Sequence, residues 1–306
     1  MNWIILAIIA YFLIALEIIL DKFLLTSRRV SHPAIYAFYS GILSLFTLVF
    51  FPFGMHSISF YQMLMSFLAG FIFTYGILTL FYAIQKGEAS RVTTAAGAVI
   101  PVVTYFLSLF ILEEKLSASQ ISGVTLLIFG GILISLKIVK FRTRGFFSGF
   151  LEAILAGVLL AVAFTLFKYF YEQDNFINVF IWTRLGLIAG ALSLLIHPYF
   201  RKIIFQSLAK FKKPKKENKR SGLLFVLNKI LGGSGSIILN YSIALGSVTI
   251  VNALICTEYV FVFLMGIVFS FWMPKIFQEK MDIGSAVQKL TAIFLITAGI
   301  VLVSRY

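Results

Sequence analysis

Two ionisable residues inside apolar runs are the strongest candidates for chemistry in this sequence. Glu258 lies near the middle of the run from Ser247 to Met273, and Arg184 lies within the run from Phe176 to Tyr199. A charge in hydrocarbon is costly, so such residues usually face a cavity or a partner. Glu258 therefore lines a cavity for a polar solute or forms an ion pair that only joins two helices, and we favour the cavity.

Arg184 has two possible partners at a similar predicted depth. It can pair with Glu258, or it can bind an anionic group of a solute. A pair would keep Glu258 ionised, whereas isolation in an apolar environment would favour the neutral acid. In the second case Glu258 could carry a proton, so proton-coupled transport is one option.

Further charges lie nearer the ends of apolar runs. Glu17 and Asp21 are four residues apart on one helical face, where like charges repel, so we expect a cation opposite them. Lys168 and Glu172 have the same spacing and are predicted to pair with each other. Lys229 is equally compatible with a binding role and with snorkelling to the membrane interface.

Small and polar residues recur at helical spacing in the fourth apolar run. Such a stripe faces protein or a cavity rather than lipid, and close helix packing and a solute site explain it equally well. Pro101 also frees a backbone carbonyl that a neighbour or ligand must satisfy. The stripe consists of Thr94, Gly97, Pro101, Thr104 or Tyr105, and Ser108, and Asn240 and Tyr241 are candidates for the opposite lining.

The sequence contains no motif for catalysis, a cofactor or a metal. Cys256 is the single cysteine, and no Ser-His-Asp or metal-ligand spacing is discernible. The glycine-rich segment from Gly232 to Ser236 lacks the lysine of a phosphate loop and lies in an apolar run, so it predicts tight helix packing. We therefore expect a protein that is not an enzyme.

Composition predicts an integral membrane protein. The 306 residues are 60% hydrophobic and 12% charged, with a mean hydropathy of +0.99. The net charge of +14 is carried by short basic runs between apolar segments, as in cytoplasmic loops, so we do not expect nucleic-acid binding. Charge distribution also predicts that the odd-numbered loops, including the basic segment from Arg201 to Arg220, are cytoplasmic.

Ten apolar runs are long enough to cross a bilayer. We expect spans at residues 3–24, two within 30–85, then 92–112, 119–136, 146–171, 176–199, 222–245, 247–273 and 283–304. Pro52, Gly54 and His56 mark the turn between the second and third spans.

The two halves of the chain repeat one another. The segment Tyr82-Ala-Ile-Gln-Lys-Gly corresponds to Tyr241-Ser-Ile-Ala-Leu-Gly, and this register sets Val99 against Glu258. We place the repeats at residues 1–144 and 145–306. Because each has five predicted spans, an odd number, the repeats are expected to lie inverted in the membrane, as in many alternating-access transporters.

The repeat resembles a known family. A proline-containing helix, an acidic turn ending Leu116-Ser-x-x-Gln120, and a span with Gly123-x6-Gly-Gly-Ile are similar to the EamA repeat of the drug/metabolite transporter superfamily. That resemblance implies a carrier of amino acids, other metabolites or drugs with both termini inside the cell. The charge distribution, which we follow, instead places both termini outside. Where the second EamA copy typically has Leu-Glu-Pro, this sequence has Thr257-Glu258-Tyr259, and where a Gly-Glu turn follows it has Gln278-Glu279-Lys280.

These observations predict a secondary transporter in the cell membrane. A small organic solute would pass through a central cavity by alternating access. The alternative is a flippase for lipid-linked substrates or a membrane-embedded enzyme that uses the same cavity. The sequence leaves the solute, the direction of transport and the oligomeric state open.

Overall fold

The computed structural model describes residues 2–25, 32–86, 89–135, 148–211, 219–272 and 283–304. These residues are almost entirely helical and contain no strand, so the predicted all-α class is confirmed. The α-helices are α1 (Asn2–Leu25), α2 (Pro33–Leu43), α3 (Phe60–Lys86), α4 (Ala89–Ile111), α5 (Ala118–Ser135), α6 (Phe150–Tyr171), α7 (Phe176–Ser193), α8 (Pro198–Phe211), α9 (Lys219–Leu245), α10 (Val248–Ala253), α11 (Ile255–Trp272) and α12 (Ile283–Val303), and a 3-10 segment, Ser44–Phe53, follows α2.

Eight helical segments of the described chain are long and apolar enough to cross a membrane. One of them joins α2 to the 3-10 segment, and another joins α10 to α11. The fifth predicted span corresponds to the shorter apolar helix Ala118–Ile134, and the eighth corresponds to α9, which is helical but is not among the eight. The protein is therefore a multi-pass membrane protein, and the number of ten spans stays a prediction.

Helical contacts divide the chain into two compact units. Unit one comprises residues 1–29, 115–146 and 216–306, and unit two comprises residues 30–114 and 147–215. Each unit thus takes helices from both predicted repeats. The boundary near Arg144 lies outside the described residues, as does the Gln278-Glu279-Lys280 turn, and the division into repeats stays a prediction.

Unit two is held together by helices that approach at glycine. A Cβ at Gly70 of α3 would lie 1.9 Å from the carbonyl oxygen of Thr183 on α7, and a Cβ at Gly186 would lie 1.9 Å from the carbonyl oxygen of Phe67. Small residues allow such close backbone approach in membranes, where packing replaces the hydrophobic driving force. The crossing of α3 and α7 therefore depends on both glycines.

Unit one uses the same device for two helix pairs. A Cβ at Gly123 of α5 would lie 2.9 Å from the carbonyl oxygen of Gly299 on α12, and Gly130 faces Ala292 in the same way. Gly235 of α9 lies against α1, where its Cβ would be 3.1 Å from the carbonyl oxygen of Ala10. The glycine-rich segment of α9 thus serves packing, as predicted.

Local signals placed several helix ends correctly. At the start of α5, the backbone N–H of Gln120 donates to Ser117 Oγ at 3.2 Å, and the backbone N–H of Ser117 donates to Gln120 Oε1 at 2.9 Å. These two bonds form a capping box. Lys168 and Glu172 form the predicted pair at 3.1 Å. The chain also leaves the helix between Phe53 and Phe60, as the turn residues predicted.

The predicted seventh span is wrong at its end. It was expected to continue to Tyr199, but α7 ends at Ser193 and a separate helix, α8, begins at Pro198. Proline at the first position of a helix loses no hydrogen bond, so it favours a new start here. The segment after Arg201, expected to be solvated, is helical as far as Phe211.

Candidate functional site

An ion pair between α1 and α9 lies inside unit one. Lys229 Nζ donates to Glu17 Oε1 at 2.8 Å, and the two side chains are 31% and 22% exposed. Gly232 provides the space, because a Cβ there would lie 1.9 Å from Glu17 Oε2. Lys229 is therefore the cation expected opposite Glu17. The side chain of Asp21 lies outside the description.

Glu258 is a second carboxylate of the same unit. It lies in the first turn of α11 and is only 9% exposed. Glu17 is close enough for electrostatic repulsion, and Tyr11 of α1 and Tyr259 also interact electrostatically with Glu258. Within the described part of unit one, Glu258 forms no hydrogen bond or ion pair. Glu258 is thus a carboxylate that faces a second carboxylate, Glu17, which is itself paired with Lys229.

The helix that carries Glu258 is interrupted just before it. Helix α10 ends at Ala253, and α11 begins after a turn at Leu254. Thr257 Oγ1 donates to the Leu254 carbonyl oxygen at 2.7 Å, and the buried Tyr11 hydroxyl donates to the Val251 carbonyl oxygen at 3.0 Å. Backbone carbonyls in a membrane need such partners. Tyr11 therefore stabilises the interruption from α1.

The two other predicted residues of unit one have different environments. Asn240 is buried in α9, where its side-chain amide donates to the Ser236 carbonyl oxygen at 2.8 Å. Tyr241 is exposed. The hydrogen bond from Asn240 to Ser236 lies within one turn of α9, so it fixes the Asn240 side chain against its own helix.

Arg184 of α7 is the buried cation of unit two. The residue is only 5% exposed, and its Cζ lies 4.2 Å from the centroid of the Phe180 ring, in cation–π contact. Tyr171 of α6 is its hydrogen-bonding neighbour. Nevertheless, Nε and Nη2 of the guanidinium are buried without an acceptor in the described part of this unit. Guanidinium donors bind carboxylates and phosphates well, so this side chain suits an anion.

Other polar atoms near this helix are also unsatisfied. The indole nitrogen of Trp182 and the hydroxyl of Ser66 on the adjacent α3 are buried and have no partner among the described residues. Buried polar groups are usually hydrogen-bonded, so each exception needs an explanation. A bound water or solute that accepts a hydrogen bond from each group would explain both exceptions.

The predicted stripe on α4 is buried. Thr94, Gly97, Pro101, Thr104 and Ser108 are all inaccessible, whereas Tyr105 is half-buried. This burial confirms that the stripe faces protein rather than lipid. Helix α4 packs on α6, where a Cβ at Gly157 would lie 2.8 Å from Val99 Cβ. Helix packing and a solute site remain equally open for the stripe.

The structure divides the eight predicted site residues equally between the units. Unit one contains Glu17, Asn240, Tyr241 and Glu258, and unit two contains Thr94, Pro101, Tyr105 and Arg184. The suggested pair of Arg184 with Glu258 would join the two units and stays a prediction. Sequence reasoning missed Tyr11, since a lone tyrosine in an apolar helix carries no signal for a distant carbonyl.

These features define an all-helical membrane protein with incompletely paired charges inside its spans. Residues 1–136 match the EamA-like transporter family, which confirms the predicted resemblance for this part of the chain. This part of the chain is thus similar to EamA-like transporters.

Two further comparisons concern sequence and fold. An uncharacterised protein of Methanocaldococcus jannaschii is 39% identical over 62 residues, which cover 20% of this chain and 44% of that protein. The match thus spans less than half of the relative's length. A crystal structure of a protein superposes with a TM-score of 0.62 at 16% identity, covering 97% of this chain and 93% of the other, so the two share a fold.

Proposed function

We propose that this protein is a secondary transporter of the cell membrane that moves a small organic solute by alternating access. In this proposal ten spans form two inverted five-helix repeats around a central cavity. The observation that best supports transport is Glu258, a buried carboxylate without a hydrogen bond or ion pair in the described part of its unit. A structural carboxylate in a membrane normally has such a partner.

The neighbourhood of Glu258 suits a reversible binding step. Lys229 is already paired with Glu17, and Glu17 repels a negative charge on Glu258. A proton or a cationic group of the solute would remove that repulsion. The interrupted helix adds flexibility at the same place, as in transporters whose binding sites lie at discontinuous helices.

Arg184 provides a second binding group in this proposal. Its two unsatisfied nitrogens would receive an anionic or carbonyl group of the solute. A carboxylate, such as amino acids and organic acids carry, fits this guanidinium. The remaining predicted residues, Thr94, Pro101, Tyr105, Asn240 and Tyr241, are proposed as lining.

Transport by purified protein in proteoliposomes tests this function. Uptake is measured for a panel of radiolabelled amino acids and organic acids, with and without a proton gradient. Glu258→Gln keeps the shape but removes the charge, and we expect it to abolish uptake while the protein inserts and folds normally. Glu172→Gln is the matched control, because its carboxylate is half-exposed and bound to Lys168. Normal uptake by well-folded Glu258→Gln would refute the role of Glu258.

Arg184 is tested with Arg184→Lys and Arg184→Gln. We expect Arg184→Lys to retain part of the uptake and Arg184→Gln to lose it, with the loss confined to solutes that carry a carboxylate. If Arg184 instead pairs with Glu258, single neutralisation would cost about 3–5 kcal/mol in a fully buried pair. The double variant with Glu258→Gln would then recover stability without recovering uptake.

A further inference from the structure

The basic segment after α7 begins with a short amphipathic helix. Residues 201–220 contain nine lysine and arginine residues and one glutamate. Helix α8, Pro198–Phe211, covers the first part of this segment. Its 14 residues extend about 21 Å, which is too short to cross the hydrocarbon of a bilayer. A helix of this length and charge in a membrane protein lies at the water–lipid interface.

One face of α8 is fixed against unit two. Ile204 is fully buried in a core cluster that includes Phe38 of α2 and Leu194. Leu208, one helical turn further on, packs on the same cluster. The Tyr39 hydroxyl also lies 3.5 Å from Ser207 Oγ. These contacts determine which way the helix faces.

The exposed flank of α8 next to its docked face presents two cations around an aromatic ring. Arg201 and Lys202 are exposed, and Phe205 is 54% exposed. Phe205 follows Arg201 by four residues and Lys202 by three, so the helical repeat places all three side chains on one surface. Neither Arg201 nor Lys202 takes part in an ion pair within the described residues. This combination matches the chemistry of a lipid surface, where aromatic rings enter the acyl boundary and cations bind phosphates.

We propose that the Arg201–Lys202–Phe205 face of α8 binds the headgroups of anionic phospholipids. Phe205 inserts beside the acyl chains, and Arg201 and Lys202 bind the phosphates from either side of it. The charge distribution predicts that this loop is cytoplasmic, the side where anionic lipids attract basic segments next to a span. Because α8 is docked on unit two, bound lipid anchors that unit to one leaflet.

Lipid binding by the full-length protein tests the proposal independently of transport. Delipidated protein in neutral detergent is titrated with fluorescent phosphatidylglycerol, and unlabelled phosphatidylglycerol or phosphatidylcholine is used as competitor. We expect phosphatidylglycerol to compete better, with a preference that falls as salt rises. Arg201→Gln/Lys202→Gln should weaken binding of phosphatidylglycerol about thirtyfold, since each of the two cations near a lipid surface contributes about 1 kcal/mol.

Matched variants identify the source of any effect. The exchange Arg201→Lys/Lys202→Arg keeps both charges and should bind as the parent does. Lys115→Gln removes an exposed cation from another turn and should also leave binding unchanged. All three substituted sites are exposed, so equal thermal stability is the check on folding. Unchanged phosphatidylglycerol preference in Arg201→Gln/Lys202→Gln would overturn the proposal, even if the lipid binds Lys212, Lys213, Lys215 and Lys216 instead.

Discussion

The ion pair of Glu17 and Lys229 should stabilise unit one more than an ordinary surface pair. Two unit charges 2.8 Å apart attract by about 6 kcal/mol at an effective dielectric constant of about 20. Most of this attraction offsets the loss of hydration. Breaking a fully buried pair costs about 3–5 kcal/mol, whereas exposed pairs contribute about 1 kcal/mol or less. Exposures of 22% and 31% put this pair between the two limits.

The two single variants should differ in their effect. Lys229→Met removes the cation bound to Glu17 while the repulsion between Glu17 and Glu258 remains, so we expect it to lower the free energy of unfolding by about 3 kcal/mol. Glu17→Gln removes a charge that repels Glu258, and the freed Lys229 remains in the same unit. Its cost should therefore be only about 1 kcal/mol.

Unfolding in mixed micelles, followed by circular dichroism, measures these energies in a double-mutant cycle. The coupling between Glu17→Gln and Lys229→Met should be about 2 kcal/mol. Lys168 and Glu172 provide the control cycle, because that pair joins neighbouring turns of α6 and its glutamate is 48% exposed. We expect about 0.5 kcal/mol there. Equal coupling in both cycles, or a costlier Glu17→Gln than Lys229→Met, would refute this electrostatic account.

One substitution in each unit tests its packing by the same unfolding measurement. Gly70→Ala should destabilise unit two by about 3 kcal/mol, because its Cβ would lie 1.9 Å from the Thr183 carbonyl oxygen. Gly233→Ala is its control, since nothing lies within 4 Å of the added methyl group, and the better helix former should be neutral or stabilising by up to about 1 kcal/mol. Tyr11→Phe should cost about 1–2 kcal/mol, because it leaves the Val251 carbonyl without its side-chain donor, and a cost near zero would contradict a stabilising role for this hydrogen bond.

Local chemistry made much of the helical order predictable from the sequence. Apolar length located the spans, and the turn residues around Gly54 located the boundary between the second and third of them, because such signals act over a few residues. A cation facing Glu17 was also predictable, because Glu17 and Asp21 place two like charges on one helical face. Identification of Lys229 as that partner required the packing of α1 on α9, which Gly232 permits.

Features that depend on tertiary contacts were not predictable in this way. Helix α8 lies within a strongly basic segment, whose charge predicted solvation more strongly than its apolar positions predicted docking. Its buried residue, Ile204, is separated by more than a hundred residues from α2, on which it packs. The division into units likewise follows contacts between distant helices, whereas the predicted repeats follow similarity along the chain.

The two predicted repeats contain irregular helices of different chemical origin. In α4, Pro101 lacks the amide that would complete the helical hydrogen bond, so the sequence alone reveals it. The corresponding helix of the second repeat, α10 and α11, contains no proline, yet it is interrupted at Leu254, where Thr257 and Tyr11 satisfy nearby carbonyls. Side-chain donors can therefore replace proline in keeping a membrane helix irregular. Helix α4 continues through Pro101, whereas the chain breaks between α10 and α11, and Glu258 lies within one turn of that break.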